Sequence, residues 1–438
     1  MPTVNEPGVL FAAVVILIMF GLLGSGVWIG LALIGVSIVA TGMYSTRMPG
    51  DAMATTIFGS LSSWTLTPLP LFIWMGEILF RSKISEYMFR SLAPWLGPLP
   101  GRLMQVNVVA CAIFAAISGS SAATCATIGK ITLPELMKRK YPEIMVVGSL
   151  AGSGTLGLLI PPSIIMIVYA VAADVSINKL FIAGVLPGIM LALMFMGYVA
   201  AWSLANRELI PPSDIRMGFV EKLRNSAGLI PTVLLILGVL GSIYAGIATA
   251  TESAVIGVVG ALILSAIQGG LNWRVFVGTV AGAMRTSTMI MLILAGSSFL
   301  TIAMGFTGVP RDLAHWVGTL GLSQGALLAV LTVLYVILGC LLDGISMVVL
   351  TMAVLLPVVK VAGFDLLWFG IYIVLVVEMA QVTPPVGFNL FVLQSLTGRD
   401  IGYVSRAAFP FFIVMLVAVC LIYAFPEIVT WLPNRMIK

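Results

Sequence analysis

Charge is scarce in this chain. Asp, Glu, Lys and Arg together make up only 9% of 438 residues, and there is a single histidine, His315. Soluble domains carry roughly 25% charged residues, so a water-soluble globule is excluded. One histidine excludes a multi-histidine metal centre or a haem pair. The four cysteines, Cys111, Cys125, Cys340 and Cys420, lie far apart in apolar segments with no paired spacing. They read as small core residues, not as disulfides, a zinc site or a redox pair. No Gly-x-x-x-x-Gly-Lys-Ser/Thr loop occurs, which excludes ATP hydrolysis by this chain. Gly152-Ser153-Gly154 is too short for a nucleophile elbow, and no histidine adjoins a candidate nucleophile, so no enzyme is expected. The start, Met1-Pro2-Thr3-Val4-Asn5-Glu6-Pro7, has no basic n-region, so a cleavable signal peptide is not expected. The longest polar stretch, 206–225, is too short for a soluble domain.

Apolar residues make up 60% of the chain, and mean hydropathy is +1.13. Residues 8–46, 144–173 and 180–205 contain no charge at all. Each exceeds the roughly 20 residues that a helix needs to cross a bilayer. The expected fold is therefore an all-α polytopic membrane protein. About ten spans are expected, at 8–24, 26–44, 60–80, 143–173 (interrupted), 180–205, 228–246, 250–268, 285–305, 366–396 (interrupted) and 406–426. Two further stretches, 103–136 and 324–359, read as re-entrant helical hairpins. With both termini outside, fifteen Lys/Arg residues face the cytoplasm and six face out, and 206–225 becomes a cytoplasmic loop. The net charge of +5 is read as this orientation signal, not as a nucleic-acid surface.

A shift of 223 residues places Pro134 on Pro357, Pro161 on Pro384, Pro162 on Pro385 and Pro187 on Pro410. The predicted topology gives the two copies opposite orientations. This divides the chain into a first inverted repeat, 1–205, a connecting loop, 206–225, and a second repeat, 226–438. Inverted repeats with helices broken at matching places mark secondary transporters, with the site near the midplane where the breaks meet.

Four segments could carry transport. Ser118-Gly119-Ser120-Ser121 lies mid-way along the uncharged run 103–129 and suits a hairpin tip. Gly157-Leu158-Leu159-Ile160-Pro161-Pro162-Ser163 must unwind its helix, because consecutive prolines remove two donors and clash with the preceding turn. The second repeat supplies Leu341-Leu342-Asp343-Gly344-Ile345-Ser346 and Glu378-Met379-Ala380-Gln381-Val382-Thr383-Pro384-Pro385. Carbonyls freed at membrane depth must line a polar cavity or hold a cation. The blander reading of each segment is a simple kink or close helix packing. Asp343 and Glu378 fall inside the constellation, where gating or ion-site support competes with a structural role. Glu77, near Arg81 and Lys83, reads as an ion-pair member, Glu252 as a helix cap, and His315 as a surface residue.

Ser118-Gly119-Ser120-Ser121-Ala122-Ala123-Thr124, Leu158-Leu159-Ile160-Pro161-Pro162-Ser163, Ala250-Thr251-Glu252-Ser253-Ala254 and Thr383-Pro384-Pro385-Val386-Gly387-Phe388-Asn389-Leu390-Phe391 together resemble the large membrane subunit of TRAP (tripartite ATP-independent periplasmic) transporters. The resemblance runs nearly end to end. It implies an ion-transporter-superfamily fold with scaffold and transport domains, and Na+-coupled uptake of an organic acid by an elevator movement in a bacterial inner membrane. It implies two partners, a small four-helix membrane subunit as a separate chain and a periplasmic substrate-binding protein. Two or more Na+ ions are implied, and no organic cofactor. One sodium site would map to Ser118, Ser121, Gly157, Ile160 and Pro162. A second would map to Leu341, Gly344, Ala380, Thr383 and Val386. A substrate carboxylate would meet Ser120, Ser121, Ser163, Thr383 and Asn389. Two alternatives stay open: a stand-alone Na+- or H+-coupled anion symporter needing no binding protein, and a channel or non-transporting scaffold.

Overall fold

A computed structural model describes residues 17–436, apart from 20, 23, 47, 83, 213–216, 341 and 386. Every regular element among the described residues is helical. Inside a lipid bilayer a helix satisfies its own backbone donors and acceptors, which explains the uniformity. The helices are α1 (Ile29–Tyr44), α2 (Pro49–Leu61), α3 (Pro68–Phe80), α4 (Ile84–Leu96), α5 (Met104–Ser118), α6 (Ser121–Lys138) and α7 (Glu143–Gly154). Then follow α8 (Leu156–Leu159), α9 (Ile164–Ala173), α10 (Ile177–Ala205), α11 (Phe219–Ser226), α12 (Ile230–Tyr244), α13 (Ala250–Ile267) and α14 (Trp273–Thr307). The last are α15 (Val309–Thr319), α16 (Gln324–Leu338), α17 (Gly344–Val361), α18 (Leu366–Gln381), α19 (Phe388–Thr397), α20 (Ile401–Ala424) and α21 (Glu427–Met436).

Helix starts follow local chemistry. Ser120, Ser163, Ser176, Asn272, Ser323, Asp343, Asp365 and Asp400 each accept a backbone N–H of the helix they precede. Glu252 forms a reciprocal capping box with Thr249 at the start of α13. Glu77 pairs with Arg81 at 3.4 Å, and His315 lies exposed on α15.

The helices gather into two groups. In one, α14 packs along α1, α2 and α3, and α13 packs against α3 and α12. Glycine makes this possible: a Cβ on Gly296 would sit 2.6 Å from the Gly30 carbonyl, so the α1 and α14 backbones touch. The second group surrounds α18, whose residues Trp368–Gln381 are buried throughout. Helices α8, α9, α10, α16, α17 and α20 pack around it. Contacts of α3 with α5 and of α14 with α17 join the groups.

Two expectations need correction. Six described helices are long and apolar enough to cross a bilayer, or seven if the pair 143–159 and 164–173, bent by 43°, is one span, against about ten expected. The expected span 60–80 is split around Ser62–Thr67 and 26–44 is helical only from Ile29, while 366–396 is interrupted after Gln381, as expected. A 16-residue helix such as α1 rises only about 24 Å, less than a hydrocarbon core of about 30 Å. The expected span 8–24 falls largely outside the described residues. The 206–225 segment is also not all loop. A 3-10 turn occupies Arg207–Leu209, and α11 fills its end and runs on towards α12. Phe219 of α11 meets the Trp95 ring edge-on, and Ser226 accepts the Trp95 indole N–H at 2.6 Å, so contacts with α4 order it.

Candidate ion and substrate site

The first hairpin tip is set by two adjacent residues. Gly119 adopts the left-handed conformation (φ 60°) that ends α5. Ser120 then starts α6, its hydroxyl accepting the Ala123 N–H at 3.4 Å. Ser118 Oγ shares a 2.6 Å hydrogen bond with Thr124 Oγ1, which closes the tip on itself.

Facing this tip, α8 ends at Leu159, and Ile160 turns extended ahead of the cis Pro161-Pro162 bond. Ser163 then caps α9 by accepting the Met166 N–H at 3.4 Å. Tip and break are in contact. A Cβ on Gly157 would lie 2.6 Å from the Ser120 carbonyl oxygen and 2.7 Å from the Ser121 nitrogen. The Ile164 N–H donates to the Gly119 carbonyl at 3.4 Å. Among the described residues, no hydrogen bond reaches the carbonyl oxygens of Gly157, Ile160 or Pro162. A side chain from the other half of the chain enters here: Glu378 accepts the Ser121 hydroxyl at 2.5 Å and the Leu158 N–H at 3.1 Å.

In the second pair, Asp343 caps α17 by accepting the Ile345 and Ser346 N–H groups at 3.1 and 3.2 Å, and it also accepts the Ser346 hydroxyl. Its carboxylate is thus engaged locally. Gly344 packs against α18 so closely that a Cβ would lie 2.7 Å from Val377 Cγ1 and 2.8 Å from Gln381 Nε2. The same Cβ would lie 3.0 Å from Ile165 Cδ1, so the second tip also adjoins the helix after the first break. Gly339 is in equally close contact with Ala380. Beyond α18 the chain turns: Thr383 donates its hydroxyl to the Ala380 carbonyl at 2.8 Å, and Gly387 donates its N–H to the Thr383 carbonyl at 3.0 Å. Pro384-Pro385 is cis as well. Leu341 and Val386 lie outside the described residues.

The residues expected around a substrate are distributed unevenly. Ser120, Ser121 and Ser163 sit at the first junction and Thr383 at the second. Asn389 is fully buried in α19, and neither its amide nitrogen nor its oxygen has a partner. Two features were missed in the sequence. Asn107 donates to Ser149 Oγ at 2.8 Å across α5 and α7, and an asparagine inside an uncharged run was the available signal. Ser297 donates to the Val349 carbonyl at 2.7 Å, tying α14 to α17. Beside that bond lies a cavity of about 460 Å³ between the two helix groups, with Thr55, Ser60, Ser298 and Thr301 on one wall and Val171 and Met352 on the other.

Apolar helices, two of them interrupted at proline pairs and each facing a hairpin tip, define a multi-pass membrane protein of the transporter class. The comparisons specify the family. Residues 16–428 match the tripartite ATP-independent periplasmic transporter, DctM component, and the chain belongs to that family. It is 32% identical to the C4-dicarboxylate TRAP transporter large permease protein DctM of Rhodobacter capsulatus, over 96% of this chain and 99% of that protein. It is 31% identical to the protein of that name from Pseudomonas aeruginosa, covering 87% and 89% of the two chains. It is also 31% identical to the isethionate TRAP transporter permease protein DctMQ of Oleidesulfovibrio alaskensis, over 94% of this chain but 64% of that longer protein. Among solved structures, the Alcanivorax borkumensis YdaH transporter has the same general fold, with a TM-score of 0.64, 12% identity, and 91% and 97% of the two chains covered. Neisseria gonorrhoeae MtrF is similar at a TM-score of 0.54 and 10% identity, covering 94% and 97%.

Proposed function

We propose that this chain is the large membrane subunit of a Na+-driven importer of small carboxylates, in a bacterial inner membrane. In this reading a periplasmic binding protein delivers the substrate, and a separate four-helix membrane subunit completes the complex. The curated relatives named for C4-dicarboxylates make such a diacid the first substrate to test. The observation that carries the reading is the first junction. Three unbonded peptide oxygens, those of Gly157, Ile160 and Pro162, belong to the broken segment, which packs against the tip through Gly157 and Pro162. An all-oxygen donor set suits a hard cation, so the residues fit Na+. Gly344, Ala380 and Thr383 form the second candidate site. Leu341 and Val386 are added to it on the resemblance alone.

A substrate carboxylate would be held by the hydroxyls of Ser120 and Ser163 and the unpartnered amide of Asn389. Ser121 and Thr383, whose protons go to Glu378 and the Ala380 carbonyl, would join by exchanging those bonds. No buried Lys or Arg is placed at either described junction, so helix N-termini and hydroxyls supply the positive field. The two helix groups suit a scaffold, around α14, and a mobile transport body, around α18. The hydroxyl-lined cavity between them is the natural route for a polar solute.

The decisive experiment is uptake into liposomes holding this chain and its small subunit, with binding protein outside. An inward Na+ gradient should drive accumulation of a labelled C4-dicarboxylate, and choline should abolish it. Accumulation without Na+ or voltage dependence would reject the reading. Accumulation without binding protein would instead indicate a stand-alone symporter.

A further inference from the structure

Among the described residues, Glu378 is a fully buried carboxylate that no cation pairs with. It is 0% exposed, on the innermost helix. One carboxylate oxygen, Oε1, receives two hydrogen bonds, and Oε2 has no partner. No Lys, Arg or His is ion-paired with it among the described residues. An anion buried without a counter-charge is strongly unfavourable, and at membrane depth such residues mark ion pathways.

Its location narrows the role. The two groups that donate to Oε1 are the hydroxyl of Ser121 and the N–H of Leu158. Ser121 belongs to the first hairpin tip, and Leu158 lies between Gly157 and Ile160, whose carbonyls are unbonded. The carboxylate is therefore pinned to both walls of the first cation site, while its backbone belongs to the other half of the chain. Asp343, the acid of the second pair, has no such freedom, because both its oxygens are engaged in capping α17.

We infer that Glu378 supplies the negative charge of the first cation site, so that one half of the chain completes a cage built by the other. The inference rests on the sodium-coupled reading above. A bound cation offsets the buried charge and holds the hairpin tip, the broken helix and α18 together. When the cation leaves, the carboxylate is uncompensated and the junction loosens. Ion occupancy thus controls whether the two halves are locked.

The test uses the purified full chain, with thermal unfolding and 22Na+ binding measured over a NaCl series balanced with choline chloride. Wild type should be stabilised by Na+ in a saturable way. Glu378→Gln should unfold at a higher temperature than wild type in choline, because the uncompensated charge is gone. Its Na+ midpoint should rise at least about tenfold, since a charge-assisted contact is lost. A wild-type Na+ midpoint in Glu378→Gln overturns the inference and leaves sodium coupling standing. A wild type that neither binds nor responds to Na+ overturns the sodium reading, and this inference with it. If Glu378→Gln does not fold, Glu378→Asp decides: it keeps the charge but draws it back by one methylene, so a midpoint raised severalfold supports the role, and an unchanged midpoint refutes it.

Discussion

At the first helix interruption Pro161 and Pro162 are buried, and the carbonyls of Gly157, Ile160 and Pro162 accept nothing. At the second, Pro384 and Pro385 are exposed, and the carbonyls of Ala380 and Thr383 are taken by bonds within the turn. The same proline pair breaks both helices, so the break itself is a local event. What differs is the company around it. The first break is pressed against a hairpin tip and receives a carboxylate from across the molecule. The second leads into an exposed turn in which the Ala380 and Thr383 carbonyls are bonded from within the turn and the Pro384 carbonyl accepts the Cys340 thiol at 3.4 Å. At Ala380 and Thr383 the chain folds back onto its own oxygens; at Gly157, Ile160 and Pro162 it does not.

The sharpest way to break this comparison is to add one methyl group at each junction. In Gly157→Ala the new Cβ meets backbone at Ser120 and Ser121, which cannot move without opening the hairpin tip. Overpacking of this kind costs about 1–3 kcal/mol, and Na+-driven uptake should fall at least about a hundredfold if the tip must stay closed. In Gly344→Ala two of the nearest atoms are the ends of Val377 and Gln381, which can shift. Its uptake should fall by no more than about tenfold. Equal losses in the two variants would show that the junctions are equally tight.

Thr383→Ala removes a side-chain oxygen proposed for the second cation site, which here donates to the Ala380 carbonyl. Sodium titration of uptake should move to higher concentration by roughly threefold to tenfold, the worth of about one hydrogen bond. An unchanged titration would remove the second pair from the ion sites. Asp343→Asn keeps an oxygen able to cap α17, so thermal stability should stay within about 0.5 kcal/mol of wild type. Transport should nevertheless slow, and wild-type rates would assign Asp343 to capping alone. Arg399→Ala should have the smallest effect. Its bidentate pair with Glu143, at 2.8 and 2.7 Å, links α7 to the loop after α19 on an exposed surface. Such pairs contribute about 1 kcal/mol or less, so a larger loss of stability in a melting experiment would mean that this tie helps to hold the junction.

Much of the helical plan was legible in local chemistry. Proline pairs, the Gly-Ser tip and the capping Glu252 act within a few positions of themselves, so reading them needs no partner. Span counting fared worse. Hydropathy sums over a window and cannot see that Ile29–Tyr44 or Leu366–Gln381 stops short of a full crossing. The helix at Phe219–Ser226 was missed because its order comes from Trp95, far away in sequence.

Composition alone required a membrane protein, because a chain with so little charge has no other stable solvent. Proline and glycine placement determined where helices must end, because those constraints are covalent and local. The partner of Glu378 could not be read in the same way. Ser121 and Leu158 lie more than two hundred residues from it, and only close packing of the helices around α18 brings its carboxylate to the break where the Gly157, Ile160 and Pro162 carbonyls accept no hydrogen bond.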